Sequence, residues 1–194
     1  MNISFLLQRL IIQNTLGGDN ISNLANATID KEAVTNYREP SLEDGAEVWE
    51  LIKDTKILDL NSSYSYIMWC SYFSETSIII ETDNKIVGFI SGFIKPTEPD
   101  RIFVWQVAVA ESERGRGLAS KMLRRLLERE SCEGINYIET TVTQSNIPSQ
   151  KLFHGLARDL GTKIKVSECF TSEDFPEKGH EDELIHEIGP FKIR

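Results

Sequence analysis

Arginine and glycine alternate in the words RGRGLA, Arg114 to Ala119, and there the chain carries the residue types that hold a phosphate. Gly115 and Gly117 let the backbone turn tightly and leave amide N–H groups free of side-chain cover. A helix beginning with Leu118 and Ala119 adds unpaired N–H groups and the positive end of its dipole. A pyrophosphate is stabilised at such a turn, with Arg114 and Arg116 supplying mobile positive charge. Two carboxylates are placed for proton or cation chemistry. Glu139 alternates with Tyr137 and Thr141 on one strand face, where it can accept a proton, hold an ammonium or close a plain ion pair. Asp59 lies between Leu58 and Leu60, a costly setting for an idle carboxylate, and reads either as an ammonium anchor or as a loop or cap residue. Tyr64 can add a hydroxyl, although an aromatic on a helix is by default core. Trp105 and Gln106 point to opposite sides of their strand; Trp105 suits the wall of a pocket, and equally needs no function to be buried. His154 is a candidate proton donor or a structural helix residue. His180, in the acidic loop 177–183, is a candidate partner for a carboxylate or an idle loop residue.

These groups need elements to position them. Ile102 to Val109 is aromatic and β-branched without Gly or Pro, which is the composition of a buried strand. Leu118, Met122, Leu123, Leu126 and Leu127 recur at helical spacing after the glycine turn, with Lys121, Arg124, Arg125 and Arg129 elsewhere on that helix. Upstream, the pattern predicts a strand over Thr35 to Arg38 and a helix opened by Ser41 and Asp44, with Val48, Trp49, Leu51 and Ile52 as its apolar face. A second helix, capped by Asn61 or Ser62, runs through Phe73 and carries Tyr64, Ile67, Met68 and Tyr72. Thr76 to Glu81 and Lys85 to Ile94 read as strands joined across Asp83-Asn84, and Pro96 and Pro99 close that arm. Downstream, Ile135 to Thr143 reads as a strand completing a parallel crossover, Ser149 to Leu160 as a helix, and Lys163 to Val166 with Glu183 to Ile188 as a final strand pair.

The 194 residues, 40% hydrophobic, suit one α+β domain from about residue 34 onward, preceded by a poorly ordered extension over 1–33. A formal charge of −9 disfavours general binding to nucleic acid or anionic membrane, so the basic cluster from Arg114 to Arg129 suits a polyanionic small molecule. Cys70, Cys132 and Cys169 lack any close pairing; neither a disulfide framework nor a metal site is expected, and reduced thiols point to the cytoplasm. A rival reading of the turn is the dinucleotide fingerprint G-x-G-x-x-G, with Glu139 about 20 residues on. Ser120 stands at its third glycine, and too little chain follows to complete a doubly wound sheet.

RGRGLA fits the Q/R-x-x-G-x-G/A signature of the GNAT acetyltransferase superfamily, and the element order β, two helices, three strands, α, β, α, β, β matches its architecture of a mixed central sheet flanked by helices. More specific words resemble one family within it. The stretch REPSLEDGAEVWELIKDTKILDLNSSYSYIMWCSYFSETS, the word FVWQVAV and the run YIETTVTQSN with KLF are similar to the L-2,4-diaminobutyrate Nγ-acetyltransferases of ectoine synthesis, over about Tyr37 to Pro190. The resemblance implies acetyl-CoA as co-substrate, bound at Arg114, Gly115, Arg116, Gly117, Leu118 and Ala119. It also implies an oxyanion-holding backbone donor within Val107 to Val109, and Asn146 beside the pantetheine arm. Phe153 stands where many superfamily members carry a tyrosine that protonates the leaving thiolate; a thiol of pKa about 8.5 leaves adequately without that acid. Asp59, Tyr64, Trp105, Gln106, Glu139 and His180 are then the candidates around the amine substrate, with Glu139 or Asp59 taking its proton. The same fold acting on a polyamine or a peptide N-terminus, and a silent acyl-CoA-binding module, stay open, as does a homodimer.

Overall fold

Asp83 and Asn84 both adopt positive φ, 51° and 62°, the two-residue turn whose twist matches that of antiparallel strands. They therefore join Thr82 directly to Lys85 across a hairpin. The computed structural model describes residues 35–176 and 178–193; the expected extension and the domain boundary near Val34 lie outside the described residues. In chain order the elements are β1 (Thr35–Arg38), α1 (Gly45–Thr55), α2 (Ser63–Tyr72), β2 (Ile78–Thr82), β3 (Lys85–Lys95) and β4 (Glu98–Val109). They continue with α3 (Leu118–Leu127), β5 (Tyr137–Thr143), α4 (Ile147–Asp159), β6 (Ile164–Phe170) and β7 (Glu183–Ile188). This is the order the sequence predicts.

The strands form one sheet in the order β1-β2-β3-β4-β5-β7-β6. Neighbours are antiparallel except β4 and β5, which run parallel with α3 as their connection. Each face of the sheet carries a core. Val48 and Ile52 of α1 and Tyr66 and Cys70 of α2 pack on Ile79, Phe89 and Ala108. On the opposite face Met122, Leu123 and Leu126 of α3 and Phe153 and Leu156 of α4 pack on Ile78, Ile80, Ile90, Ile102 and Ile138. Each fully buried aliphatic side chain contributes about 1.5–3 kcal/mol. Contact between α3 and the sheet is close because Gly88 lies beneath it: a Cβ there would sit 2.5 Å from Ile80 Cγ2 and 2.9 Å from Met122 Cε. Gly88→Ala should therefore cost about 1–3 kcal/mol through overpacking. The check is a lower urea midpoint with an unchanged slope.

Several boundaries differ from the sequence reading. The Ser41–Asp44 cap forms, with Asp44 accepting from the Ser41 N–H at 2.6 Å, but it opens a short 3-10 turn and α1 proper starts at Gly45. Burial pushes the Asp44 carboxyl up, yet its bonds from Arg38 and Ser41 outweigh that and hold it below the ordinary range. In α2 the buried residues are Tyr66 and Cys70, while Tyr64, Ile67 and Tyr72 face outward and Met68 is half-buried. Apolar residues occur all round that helix, so periodicity left its core face unspecified. Pro99 does not close the arm but lies inside β4, near its start where no ladder partner is needed. Strands β2 and β5 begin two residues late, α4 starts at Ile147 with Pro148 in its first turn, and β6 continues to Phe170. That last strand extends because β7 enters between β5 and β6 and pairs both, reaching Phe170 through Glu183.

Candidate active site

β4 and β5 pair only through Arg101–Phe103 and Tyr137–Glu139. Beyond Phe103 the two strands are no longer laddered, and their backbones border a cleft. On its other side β4 remains paired to β3, and of the two register shifts in that pairing one lies beside the cleft: Ser91 faces Gln106 and Gly92 faces Val104, so Trp105 is an extra residue, a bulge. The bulge lies two residues before Val107, the start of the segment in which the resemblance implies an oxyanion-holding backbone donor. Ala110 donates its N–H to Val87 O at 2.8 Å on the β3 side. By strand alternation the N–H groups of Val107 and Val109 are directed to the other side, into the cleft.

Two connected cavities occupy the cleft. One, of about 660 Å³, is lined by Val107, Val109, Arg114, Gly115, Gly117, Leu118, Ala119 and Ser120 on one wall and by Asn146, Pro148 and Ser149 on the other. Gly115 and Gly117 both take left-handed backbone, φ 77° and 71°, and a Cβ at either would meet nothing within 4 Å. Glycine is required there by conformation, and the cradle stays open to a ligand. Gly117 caps α3, whose first N–H groups have no helical partner. Arg114 lines this cavity with its Nε donating to Val109 O at 3.3 Å. Arg116 does not; it is ion-paired to Glu113, which itself lines the cavity. These groups fit a pyrophosphate and its arm: backbone donors, a helix start, one guanidinium and no opposing bulk.

The second cavity, about 810 Å³, holds Asp59, Trp105, Gln106, Glu139 and His180, and it shares Leu58, Val107, Thr143, Asn146 and Ser149 with the first. Trp105, 51% exposed, stands as a wall with its ring 5.4 Å from Trp69. Gln106 is buried and donates from Nε2 to the Asp59 carbonyl at 2.9 Å, so it fastens the loop that carries Asp59 to β4. The same loop is held again where Asn61 N–H donates to the hydroxyl of buried Tyr66 at 3.3 Å. Glu139 is only 4% exposed, and both its oxygens accept from cations at 2.8 Å, one from Lys95 Nζ and one from Arg101 Nη1. The hydrogen bond to Glu139, then that to Glu98, raises Lys95 above the ordinary amine range. Asn146 accepts from Ser149 N–H at 3.1 Å as the cap of α4, which leaves its amide nitrogen to donate into the cleft. His180 stacks on Phe175 at 3.6 Å, and Glu181 beside it bonds the Ser145 hydroxyl at 2.6 Å, tying the β6–β7 loop to the start of α4. Phe153 lines this second cavity, not the first. Tyr64 lines neither and is 67% exposed.

The acetyltransferase (GNAT) family profile matches residues 45–156. L-2,4-diaminobutyric acid acetyltransferase of Virgibacillus pantothenticus is 54% identical over 153 residues, covering 79% of this chain and 96% of that relative. The chain belongs to the diaminobutyric acid acetyltransferase family. The Marinococcus halophilus member is 51% identical over 155 residues, covering 80% of this chain and 90% of its own. Among solved structures, diaminobutyrate acetyltransferase EctA from Paenibacillus lautus, in complex with L-2,4-diaminobutyric acid and coenzyme A, superposes with a TM-score of 0.80 at 45% identity. That match covers 84% of this chain and 98% of that one.

Sequence reasoning passed over several residues of this diaminobutyrate-acetyltransferase cleft. Lys95, Phe93 and Phe103 line the second cavity from the β3–β4 arm. Their signal was present: Phe93 and Lys95 alternate on one strand, and Phe103 pairs with Phe93 across the hairpin. His154 is exposed on α4 and lines neither cavity. His154→Ala should accordingly keep turnover within about threefold, well short of the 100-fold or more lost with a general acid. Steady-state kcat of the folded variant measures this.

Proposed function

We propose that the chain transfers the acetyl group of acetyl-CoA to the 4-amino group of L-2,4-diaminobutyrate, giving N4-acetyl-L-2,4-diaminobutyrate for ectoine synthesis. The observation that carries this reading is the meeting of the two cavities at Val107, with the phosphate cradle on one side and Asp59, Glu139 and Lys95 on the other. An alkylammonium of pKa about 10.4 must lose a proton before it can attack. Asp59 is tied to that junction through its backbone, whose carbonyl accepts from Gln106, the neighbour of Val107. We assign it to the 4-ammonium and its proton, and Glu139 to the other ammonium. The freed amine lone pair attacks the thioester carbonyl carbon, and the Val107 N–H steadies the oxyanion. The C–S bond then breaks as the C=O double bond reforms, coenzyme A leaves as the thiolate, and the nitrogen gives up its second proton to that thiolate or to water, leaving the neutral amide.

Transfer is direct in this scheme. Cys169 is the cysteine lining the amine cavity, and burial first, then the Glu139 and Glu183 carboxylates, push its thiol above the ordinary range. It is a poor nucleophile for an acyl-enzyme route. The described helices contain none long and apolar enough to cross a membrane, and reliance on acetyl-CoA together with the buried free thiols of Cys70 and Cys132 favours the cytoplasm. The test is thiol release from acetyl-CoA over a panel of diaminobutyrate, ornithine, a polyamine and a peptide N-terminus. Diaminobutyrate should give the highest kcat/KM. Preference for the polyamine or peptide would overturn the substrate assignment, and binding of acetyl-CoA without turnover on any amine would leave only a binding module.

A further inference from the structure

We propose that Lys95 is the carboxylate anchor of the amine cavity and that, side by side with Glu139, it forms a paired-charge seat for the α-amino-acid end of the substrate. This rests on the functional reading above and adds which residues recognise the carboxylate. Among the described residues lining the amine cavity, Lys95 is the only lysine or arginine. Its Nζ lies 2.8 Å from Glu139 Oε2 and also pairs with Glu98, whose side chain is 42% exposed. An ion pair to so exposed a carboxylate is weak and readily exchanged. Arg101 is differently placed. It does not line the cavity, and it is committed to Glu139 at 2.8 Å, Glu187 at 2.5 Å and Glu98 at 3.0 Å, with its guanidinium 4.1 Å from the centre of the Tyr137 ring. Arg101 thus fixes Glu139 from behind, while Lys95, on a flexible stem with three donors, is able to turn from Glu98 to a ligand.

An α-amino acid presents an ammonium and a carboxylate on one carbon. Laid against an adjacent lysine and glutamate, it closes a ring of four alternating charges, the carboxylate on Lys95 Nζ and the ammonium on Glu139. The position suits the reaction. Glu139 lies opposite Phe103 in the parallel pairing, four residues before Val107, which is roughly 10–13 Å along the strand. Holding the α end there directs the side-chain amine back toward Val107 and the cradle beyond it. His180 faces the same cavity but is stacked on Phe175 and bonded through Nδ1 to Glu181 O at 2.7 Å.

The discriminating probe is 1,3-diaminopropane, which is diaminobutyrate without its carboxylate. Measured kcat/KM for the two amines, in the parent and in Lys95→Met, gives a preference ratio for each protein. The ratio should fall about 10- to 150-fold in Lys95→Met, the range of one charge-assisted hydrogen bond, mainly through a higher KM for diaminobutyrate. Lys95→Arg should keep most of it, and the KM for acetyl-CoA should move little in either. An unchanged ratio in Lys95→Met, or equal losses on both amines, overturns the anchor and leaves Lys95 as a support for Glu139. Should Lys95→Met not fold, Lys95→Gln decides by the same ratio. A parent that does not acetylate diaminobutyrate overturns the functional reading itself and this seat with it; a parent that does, with an unchanged ratio, removes only the seat.

Discussion

Gly117→Val should weaken acetyl-CoA binding by about 100-fold, because it changes a backbone conformation on which the cradle depends. Gly117 sits at φ 71° and ψ 18° as the cap of α3. A β-branched residue held there is strained by about 1–3 kcal/mol. Space is not the obstacle, since a Cβ would meet nothing within 4 Å; the strain lies in the dihedral alone. The loop relieves it by rotating toward negative φ, which swings the N–H groups of the first α3 turn away from a common focus. Losing two or three such donors to an anion, at about 0.5–1.5 kcal/mol each, gives the stated factor. Gly117→Ala should fall between parent and valine variant. Calorimetric titration with acetyl-CoA measures it, with circular dichroism confirming that α3 persists. Unchanged affinity in folded Gly117→Val would move the pyrophosphate away from this turn.

That turn was legible in the sequence because its chemistry is local. Glycine spacing, helix start and arginine lie within six residues, and each constrains its neighbour directly. The hairpin at Asp83-Asn84 was legible for the same reason. The amine cavity was not, since it is assembled from the loop before α2, the β3–β4 arm, β5 and the loop before β7. Glu139 was visible as a carboxylate on the right strand face, yet its two cationic partners come from 44 and 38 residues away. Long-range pairing leaves no trace in either strand alone, and the strand read from the sequence stopped at Ile94, one residue short of Lys95. Tyr64 misled in the opposite way. Helix α2 is apolar all round, and only packing on α1 and the sheet decides that Tyr66, not Tyr64, turns inward. The bulge at Trp105 is likewise a mismatch of register between β3 and β4, a property of the pair that neither strand reveals alone.

Asp59→Asn should lower kcat/KM for diaminobutyrate about 10- to 150-fold while acetyl-CoA binding stays near normal. The substitution preserves shape and removes charge. The loop holding residue 59 is secured through backbone groups, the Asp59 carbonyl by Gln106 and the Asn61 N–H by Tyr66, so an asparagine leaves both anchors intact. What changes is the contact to an ammonium, worth roughly 1.5–3 kcal/mol when charge-assisted, which gives the stated range. If Asp59 also takes the proton from the 4-ammonium, the loss extends to kcat, and raising the pH should recover part of it by supplying amine already deprotonated. An effect on KM alone would make Asp59 a holder of the ammonium and leave proton removal to solvent. The measurement is kcat and KM for diaminobutyrate, ornithine and 1,3-diaminopropane across pH 7 to 10, approximately the span over which the free amine appears. Asp59→Asn that acetylates diaminobutyrate as well as the parent, with the same order of preference among the three amines, would reduce Asp59 to a loop residue. Glu139, already seated between Lys95 and Arg101, would then be the leading carboxylate for the reacting amine, and the substrate would have to enter the cavity in the reverse orientation.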